Sequence, residues 1–302
     1  MKFWMVLALV AVCGSARADS LNVPFDFSRT AIGLNVEIWQ TPLYMILDTG
    51  VDPSVIDLKR AQSLHLKIDH DAGGEASGEG DAEHAVVFPT TIEGLSIKGR
   101  SFPAIDALAA DMSGLSSHYR RTLDGVLGYS FLSDKIVLID YAKTTLSILD
   151  RPADATASIA VCRKRWSAEL KSFKDDTIPA IRDFRFGEAS GPISLDTGSN
   201  GGISLYQDAL NLPGLRSALP KKGETTYAGA RGEAKTDTYA LNEPVGFGPF
   251  VLPPGQVVTL KPNHGSGDER VANIGNKLFA AMKLKMLLDY KNRLMTFYGD
   301  CS

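Results

Sequence analysis

Residues 43 to 50 read Leu-Tyr-Met-Ile-Leu-Asp-Thr-Gly, and residues 192 to 198 read Pro-Ile-Ser-Leu-Asp-Thr-Gly. Each is an apolar run that ends in a carboxylate, a threonine and a glycine: Asp48-Thr49-Gly50 first, Asp196-Thr197-Gly198 second. At average usage this tripeptide falls at roughly one position in several thousand, so two copies in one chain point to duplication. The flanks agree. GVLGYSFLSDKIVLIDYAKTTLSIL, from residue 125, is answered by ANIGNKLFAAMKLKMLLDYKNRLMTFY, from residue 272. Gly128 falls against Gly275 and Asp140-Tyr141 against Asp289-Tyr290, at offsets that match the Asp-Thr-Gly pair to within two residues.

Both copies read mainly as strand. Residues 36–50, 85–99, 135–149 and 283–299 carry β-branched and aromatic side chains in partial alternation, punctuated by polar residues and glycine. Short helices are expected in equivalent places, at 58–66 and 204–212 soon after each Asp-Thr-Gly and at 130–135 and 277–283 after each later glycine. The fold class is therefore all-β: two related barrel-like lobes with a central cleft and short helices. The expected organisation is a leader at 1–18, a first lobe at 19–152, an interlobe linker at 153–175 and a second lobe at 176–302.

The leader is read from MKFWMVLALVAVCGSARA: Lys2, an apolar run from Phe3 to Cys13, and small residues ending in Ala16-Arg17-Ala18. That is the pattern of a secretory signal peptide, which predicts a secreted or periplasmic protein. Removing it leaves two cysteines, Cys162 and Cys301. In a compartment that permits disulfides the two could pair, or remain buried thiols. The other bounds come from composition. Thirty-two basic against thirty-five acidic residues give a net charge of −3, without the basic excess that nucleic-acid binding rests on. No run of about 18 apolar residues occurs, so no membrane span is expected.

A carboxylate at the end of an apolar strand, followed by Thr and Gly, suits a tight turn that presents the acid into a cleft. Two such turns facing each other can hold a water between two carboxyls. Like charges that close cannot both ionise cheaply, so one proton is shared and the pair supplies an acid and a base together. With these motifs the chain resembles the aspartic peptidase superfamily, both the bilobal pepsin-like enzymes and the dimeric retropepsin-like domains. The resemblance rests on Leu47-Asp48-Thr49-Gly50 and Leu195-Asp196-Thr197-Gly198. It rests also on the hydrophobic-hydrophobic-Gly element that crosses behind each turn, here Val126-Leu127-Gly128 and, with a departure, Asn273-Ile274-Gly275. The later IDY and LDY strands and the compact lobes look more like bacterial retropepsin-like proteins than animal pepsins.

The resemblance implies an aspartic endopeptidase acting on peptide or protein substrates, with Asp48 and Asp196 as catalytic dyad. Thr49 and Thr197 would interlock the turns, and Gly50 and Gly198 would shape them. Ser199 is of the residue type that can hydrogen-bond the dyad, whereas Val51, its counterpart, has no hydroxyl. An asymmetric dyad is expected, with Asp48 holding the proton and an optimum less acidic than pepsin's. Flap candidates are Gly78 and Gly80 in the Gly-rich segment 72–86, and Tyr227 and Gly229 in the corresponding segment 225–239 of the second lobe. Both carboxylates lie in one chain, so a monomer suffices. No cofactor and no metal is expected: the five histidines show no zinc-ligand spacing, and the Gly-rich stretch lacks the Gly-Lys-Ser/Thr ending of a phosphate loop. A weak or inactive peptide-binding scaffold and a narrow-specificity processing protease are the alternatives.

Overall fold

The computed structural model describes residues 20–76, 78, 80, 85–170, 177–263 and 269–301. The expected leader, residues 1–18, lies outside them. Among the described residues no helix is long and apolar enough to cross a membrane.

Three sheets carry the fold, two of nine strands and one of six. The nine-stranded sheets follow the same strand order, one built from strands between Gly33 and Leu127, the other from strands between Ala180 and Ile274. In the first, Thr41–Leu47, which leads into Asp48, runs parallel to Gly125–Leu127, and Gly125–Leu127 runs antiparallel to Ser54–Asp57. In the second, Ala189–Leu195 runs parallel to Ala272–Ile274, which is antiparallel to Ile203–Tyr206. The short crossing element that ends in Gly128 or Gly275 thus sits between the two arms of each Asp-Thr-Gly turn. The glycine is required by proximity: a Cβ at Gly128 would lie 2.5 Å from the Val51 carbonyl oxygen, and one at Gly275 2.7 Å from that of Gly201.

The six-stranded sheet joins the halves. Its order is Leu21–Pro24, Thr145–Leu149, Ile136–Asp140, Lys285–Asp289, Leu294–Cys301, Cys162–Glu169. At its middle the two IDY/LDY strands pair antiparallel, Leu138 opposite Leu287. Asp140 pairs with Lys285 in that register and the two side chains form a buried ion pair at 2.9 Å. Asp140 Oδ1 also accepts the backbone N–H groups of Ala142 and Lys143, and Asp289 Oδ1 that of Asn292. These two repeated carboxylates close turns.

The segment expected as a linker is more structured than a connector. It contains the helix Thr156–Ile159 and the strand Cys162–Glu169, which pairs with Leu294–Cys301 and is bonded to it through the Cys162–Cys301 disulfide. The short helices at Leu58–Ser63, Tyr129–Leu132 and Asn276–Ala281 stand where the pattern placed them. Residues 204–212 differ: Ile203–Tyr206 is strand and only Gln207–Asn211 coils, as a 3-10 turn. The helix Ser113–Tyr119 carries no clear apolar stripe and was not expected; it forms because Met112, Leu115 and Tyr119 pack onto Ile46, Leu123 and Val126.

The core is continuous across both halves. Ile32, Leu34, Met45, Leu47, Ile56 and Phe131 fill the first, and Phe184, Phe186, Phe247, Phe279 and Phe297 the second. At about 25 cal/mol per Å² of apolar surface, each such phenylalanine contributes roughly 2 to 3 kcal/mol of burial.

Candidate active site

The two Asp-Thr-Gly turns meet at the junction of the lobes and hold each other. The Thr49 hydroxyl donates to the Leu195 carbonyl at 2.8 Å and accepts the Thr197 N–H at 3.1 Å. Reciprocally, the Thr197 hydroxyl donates to the Leu47 carbonyl at 2.9 Å and accepts the Thr49 N–H at 3.0 Å. Both threonines are buried. Four groups that no strand ladder can satisfy are thus satisfied across the interface, which fixes the spacing of the turns.

On this frame Asp48 and Asp196 come within hydrogen-bonding reach of each other. The turn amides converge on them. Gly50 donates to Asp48 Oδ1 at 2.6 Å, and Gly198 donates to Asp196 Oδ1 at 2.9 Å and to Asp48 Oδ1 at 3.2 Å. The approach explains the glycine: a Cβ on Gly198 would lie 2.0 Å from Asp48 Oδ2. Burial first, and then the charge of Asp196, push the Asp48 carboxyl well above the usual carboxylate range. Asp48 is therefore the partner that holds a proton most readily.

Ser199 sits at the site in a different way from the one expected. Its backbone N–H donates to Asp196 Oδ1 at 2.8 Å, while its hydroxyl accepts the Gly201 N–H at 3.3 Å. The outer oxygen of Asp196 is taken instead by Asn273, whose amide donates to Oδ2 at 2.7 Å. Asn273 is the residue by which the second crossing element departs from the first. Asn276, three positions on, donates to the carbonyls of Thr197 at 2.6 Å and Ser199 at 3.1 Å, and accepts the Tyr141 hydroxyl at 2.8 Å. The comparison of VLGY with NIGN, residues 126–129 against 273–276, held the signal for both asparagines.

Tyr119 is the other group that the sequence reading missed. Its hydroxyl, on the last residue of Ser113–Tyr119, donates to the Gly198 carbonyl at 2.7 Å. Burial, followed by the charges of Asp48 and Asp196, raises its pKa, so it stays a neutral donor. The helix thereby ties the first lobe to the turn of the second.

The flap candidates lie on two hairpins, one per lobe. Gly78 and Gly80 lie between the strands Gly74–Glu75 and Val86–Ile92; Tyr227 and Gly229 lie on Lys221–Gly229, which pairs with Gly232–Leu241. Their ends touch. A Cβ on Gly80, which has φ +123°, would lie 2.4 Å from the Arg231 carbonyl, and one on Gly78 3.1 Å from Ala230 Cβ. The second-lobe hairpin also packs against Ser113–Tyr119, where His118 faces Glu233 at 3.9 Å. Tyr227 lies under the Lys261 ammonium, 4.2 Å from its ring centre. A separate depression of about 490 Å³ on the first lobe, lined by Tyr44, Arg60, Arg121 and Asp124 among others, contains neither carboxyl of the dyad. Its arginines are engaged, Arg60 with Asp124 and Arg121 with Asp26.

The family model for aspartyl proteases matches residues 34–131, the stretch that contains the first Asp-Thr-Gly turn and its crossing element. Among solved structures the chain is similar to basic 7S globulin from soybean, at 12% identity over 92% of this chain and 94% of that one, with a TM-score of 0.49. No curated protein matches the sequence significantly. Over residues 34–131 the chain is thus similar to the aspartyl protease family, the matched lobe is repeated strand for strand in the second, and an Asp-Thr-Gly turn from each meets at one site.

Proposed function

We propose that the protein is an aspartic endopeptidase that hydrolyses peptide bonds with a water activated between Asp48 and Asp196. The observation that carries this reading is the pair of hydrogen-bonded carboxyls on interlocked turns, of which Asp48 favours the protonated form. Asp196, receiving N–H donors on both oxygens, is the base. It takes a proton from the water as the water's oxygen attacks the scissile carbonyl carbon, while Asp48 gives its proton to the carbonyl oxygen. The result is a neutral tetrahedral diol, with the carboxyl roles exchanged. Collapse returns the diol proton to Asp48, and the amine leaves with the proton held by Asp196. No covalent intermediate with the chain is needed.

The hairpin tips support a restricted substrate range. We infer that the hairpins touching at Gly80 and Arg231 cover the site and part to admit an extended peptide, which favours a processing role over general degradation. The Cys162–Cys301 bond and the leader-like first residues support action in a secreted or periplasmic setting. Both carboxyls come from one chain, so the working unit we infer is a monomer.

The test is digestion of a diverse peptide library by residues 19 to 302 across pH 3 to 8, with Asp196→Asn in parallel and with and without pepstatin. Cleavage that disappears in the variant is expected. Equal silence of folded wild type and variant over the whole range would sink the general peptidase reading and leave a peptide-binding scaffold or a processing enzyme whose one substrate was missing.

A further inference from the structure

The residues beneath the two carboxyls differ systematically between the lobes. Beneath Asp48, Val126 is flanked by Ile46 and Val55, and Val55 by Leu108. Beneath Asp196, the same register positions hold Asn273, flanked by Ser194 and Ser204, with Thr259 beside Ser204. Four apolar residues in one lobe are replaced by four polar ones in the other. Met112, Leu115 and Tyr119 pack on the apolar set. The polar set is internally bonded: Ser194 donates to Asn273 Oδ1 at 2.8 Å, and Thr259 to Ser204 at 3.0 Å.

The direction of these bonds matters. The Ser194 hydroxyl occupies the amide oxygen of Asn273, so its N–H group is the one turned to Asp196 Oδ2. An ionised carboxylate only accepts, whereas a protonated one must also donate, so a fixed N–H donor favours the charge on Asp196. It does so without introducing a competing charge. On the other side, the amides of Gly50 and Gly198 both fall on Asp48 Oδ1 and the apolar bed adds no side-chain donor, which with burial favours the proton there.

We propose that Asn273, oriented by Ser194, is a positioning residue that fixes the negative charge of the dyad on Asp196 and so makes Asp48 the acid. This rests on the dyad reading above. Among the described residues, the other titratable groups whose interaction with the pair is resolved are Tyr119 from its helix, Tyr141 after Ile136–Asp140 and Tyr290 after Lys285–Asp289. Burial raises all three, so none changes charge between pH 3 and 8 and the acid limb of activity belongs to the carboxyl pair.

The experiment is the pH profile of kcat/KM for wild type, Asn273→Leu and Ser194→Ala, together with carbon-13 titration of labelled aspartate carboxyls, Asp196→Asn serving to assign the signal. Loss of one charge-assisted donor is expected to move the acid limb, and the lower titration step of the pair, upward by about one pH unit in Asn273→Leu. Ser194→Ala should move both the same way by less, and carries the test if the leucine variant does not fold. An unmoved limb with rate lost equally at every pH overturns the proposal and leaves the dyad standing. If no variant cleaves any peptide, the titration still decides: a moved step supports the role of Asn273 while the peptidase reading fails, and an unmoved step removes it.

Discussion

Asp48 links chemistry to stability. Its folded-state pKa is raised by burial and by Asp196, so folding favours the protonated form. That contribution is complete below the unfolded value, near pH 4, and is lost as pH rises through the raised value. Asp48→Asn keeps the shape and a donor toward Asp196 but does not titrate. Its melting temperature should exceed that of wild type at pH 7, and the gain should vanish by pH 4; a constant difference across that range would refute the assignment. Thr197→Val is a second test at this scale. It strips the hydroxyl that serves both the Leu47 carbonyl and the Thr49 N–H, two buried groups, and should lower stability by about 2 to 5 kcal/mol in urea unfolding, with Thr197→Ser close to wild type. The repeated acids, threonines and glycines were legible because their spacing recurs. Asn273 was legible only as a departure between the two copies, without its role, and Tyr119 not at all: nothing local in the sequence tells that the amide of one and the hydroxyl of the other reach a turn some 77 and 79 residues away.

At the scale of elements, the strands follow the apolar alternation closely, and the exceptions have physical causes. The hairpin between Gly33–Ile38 and Thr41–Leu47 turns on Trp39 and Gln40, both at positive φ, where neither glycine nor asparagine advertises a turn. In Cys162–Glu169 only Cys162, Trp166 and Ala168 are half-buried and the other five residues are exposed, a solvated edge strand that resembles a linker in composition. It is held in place by Leu294–Cys301, which no local pattern shows. The hairpins carry the prediction for this scale. Gly80→Val would press a side chain into the Arg231 carbonyl and part the tips. Valine at φ +123° is strained, so the melting temperature should fall, while KM changes several-fold and kcat stays near wild type. A loss confined to kcat would place the contact in the chemistry rather than over the cleft.

The whole molecule is a duplicated lobe stitched by one shared sheet. Duplication made the architecture legible, since one lobe could be read against the other; the contact between hairpins could not be, because each tip is specified only by where the opposite lobe carries its partner. The stitch is testable. Asp140 and Lys285 form their ion pair between the halves with side chains almost wholly buried, and Lys285 also donates to the Ser158 carbonyl. Asp140→Ala leaves an ammonium without its carboxylate and should cost about 3 to 5 kcal/mol, lowering a single cooperative unfolding transition that involves both lobes. Two separate transitions in the wild type would show instead that the lobes are independent.

The central claim is that a proton held at Asp48 and a charge held at Asp196 hydrolyse a peptide bond. It is tested most directly by measuring kcat/KM for one cleaved peptide with wild type and Asp48→Asn, both shown to be folded by their melting curves. The account predicts a loss of at least about 100-fold in a variant that is as stable as wild type or more so. Undiminished hydrolysis by the folded variant would contradict it.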